Sequence, residues 1–221
     1  VDIVAFESEN GVTNTGSEPW AKETGLLSIW ILGMFPPSDR ATVVIPFIPG
    51  PEDELGPVVN DAYFGEVPAD RLVVEEERLF FRADGLHRSK IGISPHRALP
   101  IAGSYDPERE VLTLVQLTLP VGAHDYVNSM WQLQDEPYAG DAVNSNNDGP
   151  PEPGAKPLGP FYELESSSPA LELGPGESQV HVHRTAHFQG SAEALDPVAR
   201  AALGVGIAEI EGKFEKALAS E

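Results

Sequence analysis

The chain has 221 residues, with 21 glycines, 21 prolines and no cysteine, and its 35 acidic against 14 basic residues give a formal net charge of -21. That charge repels phosphate backbones and anionic bilayer surfaces, so neither nucleic acid nor membrane is an expected partner. The missing thiols exclude disulfides and thiolate metal centres and leave the compartment open.

The Gly and Pro content and the short β-branched runs predict one all-β domain over 1–221 with many turns. Residues 1–6, Val-Asp-Ile-Val-Ala-Phe, read as a sheet edge already under way, which predicts a processed or truncated chain lacking N-terminal strands. Strands are expected over 6–15, 25–35, 42–48, 71–74, 79–81, 88–93, 111–119 and 126–134. The run 25–35, with Trp30, reads as a buried strand. The pair 71–74 and 79–81 flanks Glu75, Glu76 and Glu77 and predicts a hairpin with a charged tip. Residues 60–65, Asn-Asp-Ala-Tyr-Phe-Gly, form an aromatic turn that either packs or rims a pocket. Arg88 and Lys90 are scarce cations that either neutralise carboxylates or contact a ligand. Residues 103–107 read as a turn, and 126–134 carries Trp131.

Residues 135–160 read as one long loop. Asn144, Asn146, Asp148 and Gly149 match the first half of an EF-hand loop, but its twelfth position is Ala155 where Glu is required. An Asx-turn loop or a sugar-contacting loop competes with calcium there. After Gly190 the pattern turns helical. Asp196-Pro197 reads as a helix start and Gly204 as its stop. Ile207, Ile210, Phe214 and Leu218 then form the stripe of a terminal helix packed on the sheet or on another subunit.

The stretch 161–188 carries the densest chemistry. If its ends are strands, Phe161, Glu163 and Glu165 share one face, and His181, His183, Thr185 and His187 share another. With Gly174-Pro175-Gly176 as the reversal, a hairpin-like pair sets a carboxylate row beside an imidazole row, and both side-chain types serve proton transfer near neutral pH. Glu165 is then a candidate base, with His183 or His181 as acid. One straight strand cannot bring all three imidazoles to one ion, because His181 and His187 stand about 20 Å apart at about 3.3 Å per residue. His181 and His183 with Glu165 remain a two-histidine, one-carboxylate alternative. The His-x-His after a Gly-Pro-Gly turn partly matches the first cupin motif, with His187 where that motif carries Glu.

The residues Leu164-Glu165, Ser-Pro-Ala, Leu173-Gly-Pro-Gly-Glu177 and the strand ending at Phe188 resemble the last segment of the galactose mutarotase (aldose 1-epimerase) superfamily. The runs 22–35, 126–131 and 159–168 resemble an uncharacterised bacterial branch of it over nearly the whole chain. The resemblance implies an antiparallel supersandwich with a sugar groove on its concave face and Glu165 at the base position, to which the pattern after Gly190 adds a short C-terminal helical segment. It lacks the Asn-His-x-Tyr-Phe-Asn segment that carries the acid in mutarotases, with Thr13-Asn14-Thr15 in that region. The expected function is therefore an aldose epimerase-like enzyme, with a sugar-binding module lacking turnover or a metal-dependent cupin-like enzyme as alternatives. Arg71, Lys90, Trp131, Asp141, Asn144 and His187 are expected substrate contacts, and no metal or cofactor is expected. The expected partner is a small sugar or glycan, with self-association or association with missing N-terminal strands.

Overall fold

The computed structural model describes residues 1–214. In chain order its elements are β1 (Asp2–Thr13), β2 (Trp30–Phe35), β3 (Thr42–Pro46), α1 (Glu52–Leu55), β4 (Leu72–Val74), β5 (Arg78–Arg82), β6 (Ser89–Ile93), β7 (Ile101–Asp106), β8 (Val111–Leu117), β9 (Val143–Asn147), β10 (Tyr162–Ser167), β11 (Ser178–Gln189), α2 (Ala192–Leu203) and α3 (Ile207–Gly212). A seven-stranded sheet runs β1-β11-β8-β7-β3-β5-β4, and a four-stranded sheet runs β2-β10-β9-β6. The strand pairs are antiparallel throughout. The fold is an all-β antiparallel sandwich with a short helical segment at its C-terminal end.

Two apolar layers hold it together. Between the sheets, Val43, Ile45, Leu79, Phe81 and Val115 of the large sheet meet Ile91, Ile93, Val143, Tyr162 and Leu164 of the small one. On the other face of the large sheet, Val44, Phe80, Tyr105 and Leu112 pack against Leu195, Ala199 and Leu203 of α2 and Ile207, Ile210 and Phe214 around α3. Leu195, Ala199 and Leu203 recur every four residues, so one helical stripe is buried. The expected terminal helix thus packs on the sheet, and Leu218 lies outside the described residues.

Several local expectations are corrected. Strands β10 and β11 do not form a hairpin: both edges of β10 are taken by β2 and β9, and both edges of β11 by β1 and β8. The connection 168–177 crosses between the sheets, and its Gly176, at φ 82, closes a turn on the end of β1 through a bond to the Asn14 carbonyl. Residues 126–134 form no strand beyond a single bridge from Tyr126 to Ala139. There Asn128 Oδ1 accepts from the Met130 N–H, and Gln134 Nε2 donates to the carbonyls of Asn128 and Met130, so polar side chains fold the segment onto itself. The supposed loop 135–160 contains β9, a central strand of Val-Asn-Ser-Asn-Asn, and the supposed turn 103–107 is mostly β7. Neighbouring strands on both sides of β9 override its poor β-propensity. Helix α2 starts at Ala192, because Ser191 caps it by accepting from the Ala194 N–H, and Pro197 sits inside it. The 25–35 run yields only β2, a half-exposed edge strand.

Candidate functional site

Alternation on β10 divides its side chains between two environments. Tyr162, Leu164 and Ser166 point into the space between the sheets, so Glu163 and Glu165 stand on the outer face of the small sheet. The register sets Glu165 opposite Asn144 of β9 and Leu32 of β2, and Glu163 opposite Asn146 and Met34. One strand further, Lys90 and Gly92 of β6 lie opposite Asn146 and Asn144. A polar row therefore crosses the small sheet, and Asn60, Tyr63 and Asp141 lie over it.

At its centre Glu165 is 1% exposed. Its Oε2 accepts from Lys90 Nζ at 2.8 Å and from Trp30 Nε1 at 2.8 Å, while its Oε1 has no partner among the described residues. The Lys90 ammonium lies 4.7 Å from the Trp30 ring centroid and 5.0 Å from that of Tyr63, so two aromatic faces sandwich the cation. Asp141 Oδ2 accepts from Asn60 Nδ2 and from the Tyr63 hydroxyl, both at 2.9 Å. Gly92 makes room for Asp141: a Cβ there would lie 2.1 Å from Asp141 Oδ2. The amide oxygens of Asn144 and Asn146 are buried without partners among the described residues.

Burial pushes the Asp141 carboxyl up to about 6, with the charge of Glu165 adding to it against the bonds from Asn60 and Tyr63 and the charge of Lys90. Burial, then the neighbouring charge of Glu165, pushes Glu163 up to about 7, against a bond from Asn146 and the Lys90 charge. Burial and the Asp141 charge raise the Tyr63 phenol as well. Two carboxyls raised by burial thus stand beside an ion-paired carboxylate in one buried row.

The imidazoles lie elsewhere. His181 and His183 point between the sheets, where Ser166 Oγ lies 2.8 Å from His181 Nε2 and 2.8 Å from His183 Nδ1. Burial, then the charge of His183, brings His181 down to about 4, and burial lowers His183 too. Glu165 and Ser166 are neighbours on a strand, so the carboxylate and the two imidazoles occupy opposite sides of the small sheet. The expected acid–base pair of Glu165 with His183 or His181 is therefore not assembled, and neither is the two-histidine, one-carboxylate metal set. Among the described residues no group of three or more His, Asp or Glu is arranged to hold a metal ion.

Of the expected contacts, Lys90, Asp141 and Asn144 join Glu165, and three do not. Arg71 is committed to Asp84, which also pairs with Arg82 Nε at 2.9 Å. Burial disfavours the Asp84 charge, but the Arg71 bond and charge outweigh it and hold the carboxyl below its usual range. Trp131 is 95% exposed, and His187 bonds Thr113 Oγ1 at 2.9 Å and packs edge-on against Phe35. In the calcium-like segment, Asn147 instead supports the Asp84 cluster, and Asp148 accepts from the Gly159 N–H. Sequence reasoning assigned Trp30 to the core, read 60–65 only as a turn that packs or rims a pocket, and did not single out Gly92. Both faces of 30–35, Trp-Leu-Met and Ile-Gly-Phe, are apolar, so alternation carried no signal for Trp30, and Gly92 became legible only once Asp141 was placed over it.

No helix among the described residues is long and apolar enough to cross a membrane. Two solved structures are similar to the chain. The Slr1438 protein of Synechocystis sp. PCC 6803 aligns at 11% identity and a TM-score of 0.45, over 84% of this chain and 51% of its own. A "Putative aldose 1-epimerase" from Escherichia coli K12 aligns at 15% identity and a TM-score of 0.49, over 84% of this chain and 57% of its own. The chain thus spans little more than half the length of either. A comparison with curated proteins finds none that matches. Residues 1–214 match the family of unknown function DUF6786, and the chain belongs to that family.

Proposed function

We propose that the outer face of the small sheet binds a neutral sugar and moves protons at its anomeric centre. Glu165 Oε1 takes the anomeric hydroxyl proton, the bond from the anomeric carbon to the ring oxygen breaks, and Asp141 delivers a proton to that oxygen. The open-chain aldehyde turns about its first carbon–carbon bond and recloses with both transfers reversed, which interconverts the anomers without net consumption of protons or electrons. Asp141 suits the acid role because its carboxyl, at about 6, keeps a proton closer to neutral pH than an ordinary aspartate does. It lies against Gly92, whose backbone position is two strand spacings, about 10 Å, from that of Glu165, and this separation supports a ring held between the two carboxyls. A net charge of -21 favours a neutral ligand over an anion.

The observation that carries this reading is the buried Glu165 Oε1, without a partner among the described residues while Lys90 and Trp30 fix the other oxygen. The test is anomeric exchange of glucose and galactose, followed by polarimetry or exchange NMR. Glu165→Gln keeps the side-chain shape and should lower the catalysed rate by at least about 100-fold. An unchanged rate in a folded variant removes Glu165 from the chemistry. A second reading, sugar binding without turnover, draws on the unpartnered Asn144 and Asn146 oxygens, which suit hydroxyl recognition alone. Calorimetric sugar binding by the native protein without anomeric exchange selects it.

A further inference from the structure

A cleft of about 720 Å3 opens beside this row, between α1 and the segments 94–96 and 124–141. Its volume lies within the range of about 300–1,000 Å3 typical of small-molecule pockets. Asn60 and Asp141 form its inner wall, and they are the two residues joined by a hydrogen bond at the end of the polar row. The cleft and the Glu165 site are therefore contiguous, with Asp141 common to both.

The rest of the lining is a second polar surface. His96 and His124 stack in the cleft with ring centroids 4.4 Å apart and planes 7° from parallel. Both side chains are exposed, so core packing does not impose this stacking. Glu136 and Tyr138 also line the cleft, and among the described residues no lysine or arginine does. Ring faces, ring nitrogens and carboxylate acceptors without a lining cation are matched to a neutral polyhydroxylated unit and poorly matched to a phosphate or another anion.

Resting on the function proposed above, we infer that this cleft is a second sugar subsite, so that the ligand is an oligosaccharide whose reducing-end unit lies at Glu165 and whose next unit lies against His96 and His124. Two strand spacings separate the Glu165 position from Gly92 beneath Asp141, about 10 Å, which leaves the neighbouring unit beyond Asp141, where the cleft opens.

The test is calorimetric titration of the native chain and of the double variant His96→Ala, His124→Ala with glucose and galactose against maltose, cellobiose and lactose. At least one disaccharide should bind the native chain at least about tenfold more tightly than its parent monosaccharides. The double variant should lose that advantage and keep its monosaccharide affinity within about twofold; because both residues are exposed, it should fold, which circular dichroism checks. Monosaccharides binding as tightly as every disaccharide, or a disaccharide preference that survives the double variant, overturn the subsite while leaving the Glu165 reading standing. Binding of neither class overturns both.

Discussion

Replacing Lys90 with methionine would remove the ammonium that meets Glu165 and leave a carboxylate buried with only the Trp30 N–H on its fixed oxygen. The two side chains are 8% and 0% exposed and 2.8 Å apart, so losing the ammonium leaves a largely desolvated carboxylate. Breaking a buried pair from one side costs about 3–5 kcal/mol, because the remaining charge keeps its desolvation penalty. Loss of the cation from between Trp30 and Tyr63 adds about 0.5–1 kcal/mol. With a urea dependence of about 3 kcal/mol/M, the unfolding midpoint should fall by roughly 1–2 M. The companion variant, Lys90→Met with Glu165→Gln, removes both charges and should recover at least half of the loss. Urea unfolding followed by circular dichroism reads all of these. A single variant that loses less than about 1 kcal/mol, or a double variant no better than the single, would refute the claim that the pair is a desolvated unit.

Two further predictions concern the inner imidazoles and the room around Asp141. His181 is held down to about 4, well below the usual imidazole range, so it stabilises the fold fully above about pH 6.5 and loses that contribution, about 3 kcal/mol, as pH falls through about 4. The raised carboxyls of Asp141 and Glu163 act with the opposite sign, stabilising most below about pH 4 and losing that as pH rises through about 6 to 7. The difference in unfolding free energy between the native chain and His181→Phe isolates the histidine, and it should narrow by about 3 kcal/mol between pH 7.5 and 4; a pH-independent difference would contradict the neutral His–Ser–His contact. Gly92→Ala places a methyl group 2.1 Å from Asp141 Oδ2 and should expel that carboxylate at a cost of about 1–3 kcal/mol. Sugar turnover should drop as far as in Asp141→Asn, and full turnover in Gly92→Ala would remove Asp141 from the acid role.

Several strands were legible in the sequence. The β4–β5 hairpin with its acidic tip and the strands β3, β6 and β8 follow from short β-branched and apolar runs bounded by turn residues. Strand β9 was not legible, since Val-Asn-Ser-Asn-Asn has the composition of a turn and becomes a strand only between β10 and β6. The Gly-Pro-Gly turn was read correctly, but whether it returns a chain to the same sheet or carries it to another depends on which edges are already occupied. That is a long-range property with no local signal, and it is why the carboxylate and imidazole rows looked adjacent in sequence and stand on opposite sides of the small sheet. Glu165, Lys90, Asp141 and Asn144 were identified from residue type, whereas Trp30, Asn60 and Gly92 needed the register.

Strand β10 writes the core and the candidate site in one alternating text of six residues, Tyr-Glu-Leu-Glu-Ser-Ser. Insertion or deletion of one residue before Glu163 would carry both carboxylates into the space between the sheets and turn Leu164 and Ser166 outward in the same step. The reading frame of the strand therefore cannot drift while the chain still folds. Within this family, β10 should change by substitution alone, and variation in length should collect in the segments that cover the polar row and line the adjoining cleft.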